Sequence, residues 1–282
     1  MPELARAAID PDWITPLPPF QLADNLYYVG SRELASYLIT TPAGNILINA
    51  NLAGAPAQIR ASVEQLGFPW QDTRILLDSQ AHSDHVGGAA QVLEETHARL
   101  LAMAGDAEVL ESGGHADFAW GDDITTGFAA AHVDRVLHDG EVVRLGERAH
   151  GGVALLAHRT GGHTRGCTTF SFRVHVPGEP AGRLREVVIV GGVAPLAHYR
   201  LLDRPGRPAS YPGIAADFNR SFATLRALHG ELFLGAHGSY FGLLDKVARL
   251  PSQGPQAFID PQGYRDFVEG AQRRFQATLA RR

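Results

Sequence analysis

The chain has 282 residues, 45% of them hydrophobic and 20% charged, which is enough apolar content for one large core. Its formal charge of -5, with Lys and Arg scattered, leaves no electrostatic footprint for nucleic acid or an anionic membrane surface, so neither is expected as a partner. The single cysteine, Cys167, excludes an internal disulfide, and no stretch approaches the roughly 18 apolar residues of a membrane-spanning helix.

Residues 1–20 are expected to lie across the surface, because Pro11, Pro16, Pro18 and Pro19 are too many for a helix. The opening residues 1–6 lack a basic-then-apolar leader, so a cytoplasmic location stays open unless a leader has been removed. Short β-rich runs at 26–29, 36–39 and 46–48, broken by Gly30-Ser31 and Pro42-Ala43-Gly44-Asn45, predict consecutive antiparallel strands. Ile59, Val63 and Leu66 then fall at i, i+4 and i+7, predicting a helix over 55–66, followed by a strand at 74–77 and a helix over 89–96.

The stretch 112–140, rich in Gly, Asp and Thr, is expected to be loop with little regular structure. Strand signals return at 141–145, 153–157, 168–174 and 186–190. Ile214, Phe218, Phe222, Leu225 and Leu228 mark an amphipathic helix leading to a strand at 232–234. Asp260-Pro261 has the cap-then-proline form of a helix start, and Tyr264, Phe267, Val268, Phe275 and Leu279 line that helix. This order predicts a layered α/β sandwich of two mixed sheets under outer helices, one domain over 1–282 with its core in 21–282.

Gln80-Ala81-His82-Ser83-Asp84-His85 packs two imidazoles, a carboxylate and an amide into six residues between an apolar strand and Gly87-Gly88. Imidazole plus one carboxylate, without thiolates or an acidic cage, points to zinc before calcium or magnesium. His163 in Gly161-Gly162-His163-Thr164 and His237 in Gly235-Ala236-His237-Gly238 sit in glycine-flanked turns, where backbone can crowd a bound ion.

With these motifs the chain resembles the metallo-β-lactamase superfamily over nearly its whole length; the family hallmark is a His-x-His-x-Asp-His loop with later histidines in Gly-His-Thr and near the C-terminus. Trp13 with Pro18-Pro19-Phe20, the run 25–30, and Tyr211-Pro212 leading to Asp217-Phe218 and Phe222 make it most similar to the third subclass of zinc β-lactamases. The resemblance implies a four-layer αββα sandwich and two zinc sites, one held by Gln80, His82 and His163 and the other by Asp84, His85 and His237. It also implies a catalytic role for Asp84, orienting zinc-activated hydroxide that opens the β-lactam amide of penicillins, cephalosporins and carbapenems, and so antibiotic resistance and a periplasmic or secreted location. Gln80 stands where the family usually has histidine, as in a minority branch of the subclass, and Ser79 stands for its threonine. An amide oxygen is a weaker zinc donor than imidazole, so the first site is expected to bind less tightly.

The alternative is a lactone or thioester hydrolase of the same superfamily. Such relatives place a metal-bridging aspartate after a late strand, where this chain reads Val188-Ile189-Val190-Gly191-Gly192-Val193. The serines that often hold substrate carboxylate in the β-lactamase subclass are replaced by Val193, Ala194 and Pro195. Cys167 is expected to be a buried small hydrophobe, and the other histidines to be surface or packing residues. His115, Asp117, Phe118 and Trp120 are candidates for the cleft rim, with a solvated loop as the competing reading. Thr164 and Arg165 are candidates for orienting His163 or meeting an anionic substrate.

Overall fold

The structure, a computed structural model, describes residues 9–281; the reading of residues 1–6 lies outside them. After a short turn of helix, α1 (Pro11–Ile14), seven strands lie side by side in chain order: β1 (Phe20–Ala23), β2 (Leu26–Tyr28), β3 (Tyr37–Thr41), β4 (Gly44–Ile48), β5 (Thr73–Leu77), β6 (Arg99–Met103) and β7 (Arg135–Leu137). The first four pair antiparallel, each with the next in the chain. From β4 onward the pairing is parallel, because α2 (Pro56–Gln65) and then α3 (Ser83–Val86) and α4 (Ala89–Thr96) carry the chain back before each new strand.

After α5 (Ala107–Glu111), which leads toward β7, the second sheet is built from β8 (Glu141–Leu145), β9 (Val153–Arg159), β10 (Thr168–Val174), β11 (Arg185–Val190) and β12 (Leu232–Gly235), in spatial order β12-β11-β10-β9-β8. Only β11 and β12 run parallel, joined through α6 (Ile214–Ala227); α7 (Leu243–Gln253) and α8 (Pro261–Arg281) close the chain.

Side-chain alternation on the strands creates the layers. On β4, Ile46 and Ile48 join the core between the sheets with Tyr37, Phe170 and Val188, while Leu47 turns outward with Leu38 and Leu76 to meet Ile59, Val63 and Val92 of α2 and α4. On the far side Phe218 and Phe222 of α6 pack against Phe275 of α8 with tilted rings. The result is the expected αββα sandwich. The sheets are tied at one edge, where the Tyr37 hydroxyl donates to the Gly235 carbonyl at 2.7 Å.

The structure corrects three readings. The stretch 112–140 contains β7, a parallel edge strand whose burial falls on Leu137 alone, so it carries no alternation to read. β6 and α7 also form where no element was expected, and in the proline-rich segment α1 forms a helical turn with Pro11 at its start, where proline is tolerated, while Phe20 opens β1 instead of closing that segment.

The cap at Asp260 behaves as its spacing predicts: Oδ1 accepts from the Gly263 amide at 2.8 Å. Its Oδ2 lies 2.9 Å from the ammonium of Lys246, a residue only 2% exposed. Asp260→Ala removes the cap and strands a buried cation, so a loss of about 3 kcal/mol is expected, read as a lower urea midpoint at unchanged slope. A loss typical of a surface site, under about 0.5 kcal/mol, would show that the pair contributes nothing.

Candidate metal centre

The site lies where β5, β9 and β12 end. Backbone at the end of β4 shapes it: Asn49 and Asn51 adopt φ of 65° and 54°, a left-handed conformation that asparagine tolerates better than most residues. Asn49 Oδ1 accepts from the Ser79 amide at 2.9 Å, and the amides of Ala50 and Asn51 both donate to the His85 carbonyl. The loop from Ser79 to His85 is therefore pinned to the neighbouring strand before its side chains converge.

Two imidazole pairs result. His82 and His163 meet edge to face with ring centroids 4.8 Å apart, and His85 and His237 do so at 4.9 Å. Asp84 Oδ2 lies 3.2 Å from His85 Nε2 and 3.6 Å from His237 Nε2, and those two nitrogens are 3.2 Å apart. Ligand atoms of Asp84, His85 and His237 thus fall within 4.8 Å of one another, the spacing of a group able to hold a metal ion. Beside them Gln80 Oε1 and His82 Nε2 are buried with no hydrogen-bond partner, and the nearest carboxylate, Asp117 Oδ2, is 3.8 Å from His82 Nε2, too long for a bond. Orphaned buried donors of this chemistry fit a zinc ion.

Partners on the far side orient the rings. His163 Nδ1 donates to the Ala194 carbonyl at 2.7 Å, leaving Nε2 as the free lone pair, and His237 Nδ1 lies 3.4 Å from Glu33 Oε1. Glu33 is itself held by the Ser239 amide and hydroxyl. Gly192 lets the His163 ring approach the backbone closely, since a Cβ there would fall 2.3 Å from the imidazole. Gly162 takes φ +131° beneath the Phe218 ring, where a Cβ would also collide.

Burial, reinforced by the neighbouring imidazoles, pushes His82 down to about 3. It also pushes His163 down to about 4, with the Ala194 carbonyl and Asp84 pulling it partly back. Both are neutral near pH 7, the form that ligates. Burial raises Asp84, but His85, His237 and His82 outweigh it and hold the carboxyl far below the usual range. In chelated protein these shifts couple folding to pH. Below the ordinary value of 6.5 the unfolded chain takes up protons on both histidines while the folded chain refuses them until about 4 and 3. Their contribution is complete above 6.5 and shrinks as pH falls toward 4. The thermal midpoint in EDTA should drop from pH 7 to 4.5, less steeply in His163→Asn; equal slopes would contradict it.

Of the rim candidates, Asp117 is buried and accepts from the amides of Ala119 and Trp120, Phe118 packs on Tyr199 and Tyr211, and Trp120 packs on His198. His115 is solvated. Arg165 is exposed over the Phe118 and Tyr211 rings, and Thr164 is buried against Asp106. Cys167 is fully buried behind Gly192, its thiol pushed up to about 12 by burial, which leaves it unreactive. Sequence reasoning missed Glu33 and Asp106, single acidic residues without a motif, and it did not foresee that Trp13 would come within 6.0 Å of the His237 ring.

A two-sheet sandwich with this cluster at its edge defines the class: a hydrolase of the αββα type. More narrowly, the chain belongs to the metallo-beta-lactamase superfamily, whose family model matches residues 34–175. Among solved structures it is similar to native FEZ-1 metallo-beta-lactamase from Legionella gormanii, at 41% identity and TM-score 0.88, covering 95% of this chain and 97% of that one. The class B3 di-zinc metallo-beta-lactamase LRA-12 from an Alaskan soil metagenome matches at 33% and 0.85, covering 96% and 98%. GOB-18 from Elizabethkingia meningoseptica matches at 30% and 0.88, covering 98% and 97%.

Proposed function

We propose that the chain, acting as one domain, hydrolyses the β-lactam amide bond with two zinc ions, one held by Gln80, His82 and His163 and one by Asp84, His85 and His237. The observation that carries this reading is the orphaned, buried pair Gln80 Oε1 and His82 Nε2 beside the Asp84, His85 and His237 cluster, in a chain 41% identical to a metallo-β-lactamase over 95% of its length. Zinc at such a centre supplies Lewis acidity, bringing the pKa of a water toward 7 and polarising a carbonyl.

The protein's part is orientation. Asp84, held ionised, accepts a hydrogen bond from the attacking water and aims it. His163 and His237 are locked by Ala194 and Glu33, so neither ring needs to reorganise when substrate arrives. Phe118, backed by the buried Tyr199 ring, and Trp120 are partly exposed and offer an aromatic wall to the apolar body of the substrate. With Val193, Ala194 and Pro195 in place of hydroxyl-bearing residues, the substrate carboxylate finds no serine there. A lactone or thioester hydrolase is disfavoured by Gly192, whose bare face is filled by the His163 ring and leaves no room for a bridging carboxylate.

A periplasmic or secreted location and a role in antibiotic resistance belong to the same proposal; among the described residues no helix is long and apolar enough to cross a membrane. The deciding assay compares a chromogenic cephalosporin with an acyl-homoserine lactone, before and after chelation and zinc return. Cephalosporin turnover lost on chelation and restored by zinc supports the proposal; faster lactone turnover overturns it.

A further inference from the structure

Asp106 immediately precedes α5, is fully buried, and forms no ion pair among the described residues. An isolated buried carboxylate is costly unless donors surround it. Three do, and all belong to the two loops that carry Gln80, His82 and His163. Oδ2 accepts from the Ala81 amide at 3.0 Å and from the Thr164 hydroxyl at 2.6 Å; Oδ1 accepts from the Gly166 amide at 2.6 Å. Ala81 sits between Gln80 and His82, and Thr164 follows His163. Gly166 is required at this approach, since a Cβ there would fall 2.6 Å from the Asp106 amide nitrogen and 2.8 Å from its carboxyl carbon.

These loops leave different sheets, the first from the end of β5 and the second between β9 and β10. One carboxylate therefore spans the sandwich at the point where the three side chains must meet. The other half of the centre has separate supports: the His85 carbonyl is held by the amides of Ala50 and Asn51, and His237 is backed by Glu33.

We propose that Asp106 is a positioning residue for one metal site and not the other: it clamps the Ala81 amide to the Thr164–Gly166 turn, and so keeps Gln80, His82 and His163 gathered. The inference rests on the reading of those three residues as ligands. It explains why an acid, and not an amide, stands here. In asparagine one oxygen becomes an NH2 group, which would face either the Gly166 amide or the Ala81 amide, donor against donor.

The test is a stepwise zinc titration of the full chain against a chromophoric chelator at pH 7.5, repeated with cobalt to follow the absorption of each site. In Asp106→Asn the Gln80, His82, His163 site should weaken by about 10- to 100-fold, the usual range for loss of an outer partner, while the Asp84, His85, His237 site stays within about threefold. Thr164→Val removes one donor of three and should shift the same site in the same direction by a smaller factor; if Asp106→Asn does not fold, this variant decides alone. Equal weakening of both sites, or of neither, overturns the clamp. A wild-type protein that binds a single equivalent instead overturns the ligand assignment beneath it, an outcome distinct from wild type binding two and the variants matching it.

Discussion

Asp84→Asn should lower β-lactam turnover by about a thousandfold, equivalent to about 4 kcal/mol of transition-state stabilisation, with little change in fold. The side chains are nearly the same shape, so packing is preserved. The charge is not. Asp84 Oδ2 lies 3.2 Å from His85 Nε2 and 3.6 Å from His237 Nε2, and the imidazoles hold the carboxyl ionised against the pull of its own burial. A neutral amide in that place presents either a weaker acceptor or an NH2 group to the two ring nitrogens, and it removes the only anionic donor from the group of three. The proposed water-orienting acceptor and one metal ligand are lost together. Steady-state kinetics and zinc content should be measured on one sample: the variant should be slow and short of zinc at the Asp84, His85, His237 site. Turnover within tenfold of wild type would remove Asp84 from the chemistry.

The parts of the centre that were legible beforehand are those whose chemistry is written locally. Gln80, His82, Asp84 and His85 occupy six consecutive positions, and His163 and His237 each stand among glycines, so residue type and neighbourhood were enough to single them out. Glu33 and Asp106 were not legible because each is one acid among many; Glu33 matters through a residue 204 positions away, 237 − 33, and Asp106 through bonds to 81, 164 and 166. The same division runs through the fold. Strands buried on both faces, such as β4, announced themselves as short β-rich apolar runs, whereas β7 buries one residue and takes its conformation from pairing with β6. In α7, Leu243, Val247 and Leu250 do fall at helical spacing, but Pro251 and Gly254 interrupt the run and hid it. Trp13 was assigned to a proline-rich surface segment on sound local grounds; what draws it inward is Arg32, whose guanidinium pairs with Asp12 at 2.7 Å and whose amide bonds to the Thr15 carbonyl.

Gln80→His should tighten zinc at the site of Gln80, His82 and His163 by about 10- to 100-fold, or about 1.4 to 2.8 kcal/mol, and change the other site by less than about threefold. Gln80 is 1% exposed, its Oε1 has no partner, and the loop backbone on either side is fixed by Asn49 through Ser79 and by Asp106 through Ala81. An imidazole entering this position meets a backbone already set, so little of its binding energy is spent on ordering the loop. The gain comes from replacing a neutral amide oxygen with a ring nitrogen, which borderline-soft zinc prefers. Burial works in the same direction near neutrality, because it keeps the new ring uncharged, as it does His82. The measurement is the ratio of the two stepwise zinc constants, together with hydrolysis at zinc concentrations that fill only the tighter site of the wild type. A ratio that moves toward unity while the Asp84, His85, His237 constant stays still is the expected result. An unchanged ratio would mean that Gln80 is a loop amide with no metal to hold, and the reason for two unequal sites would have to be sought in His82 and His163 alone.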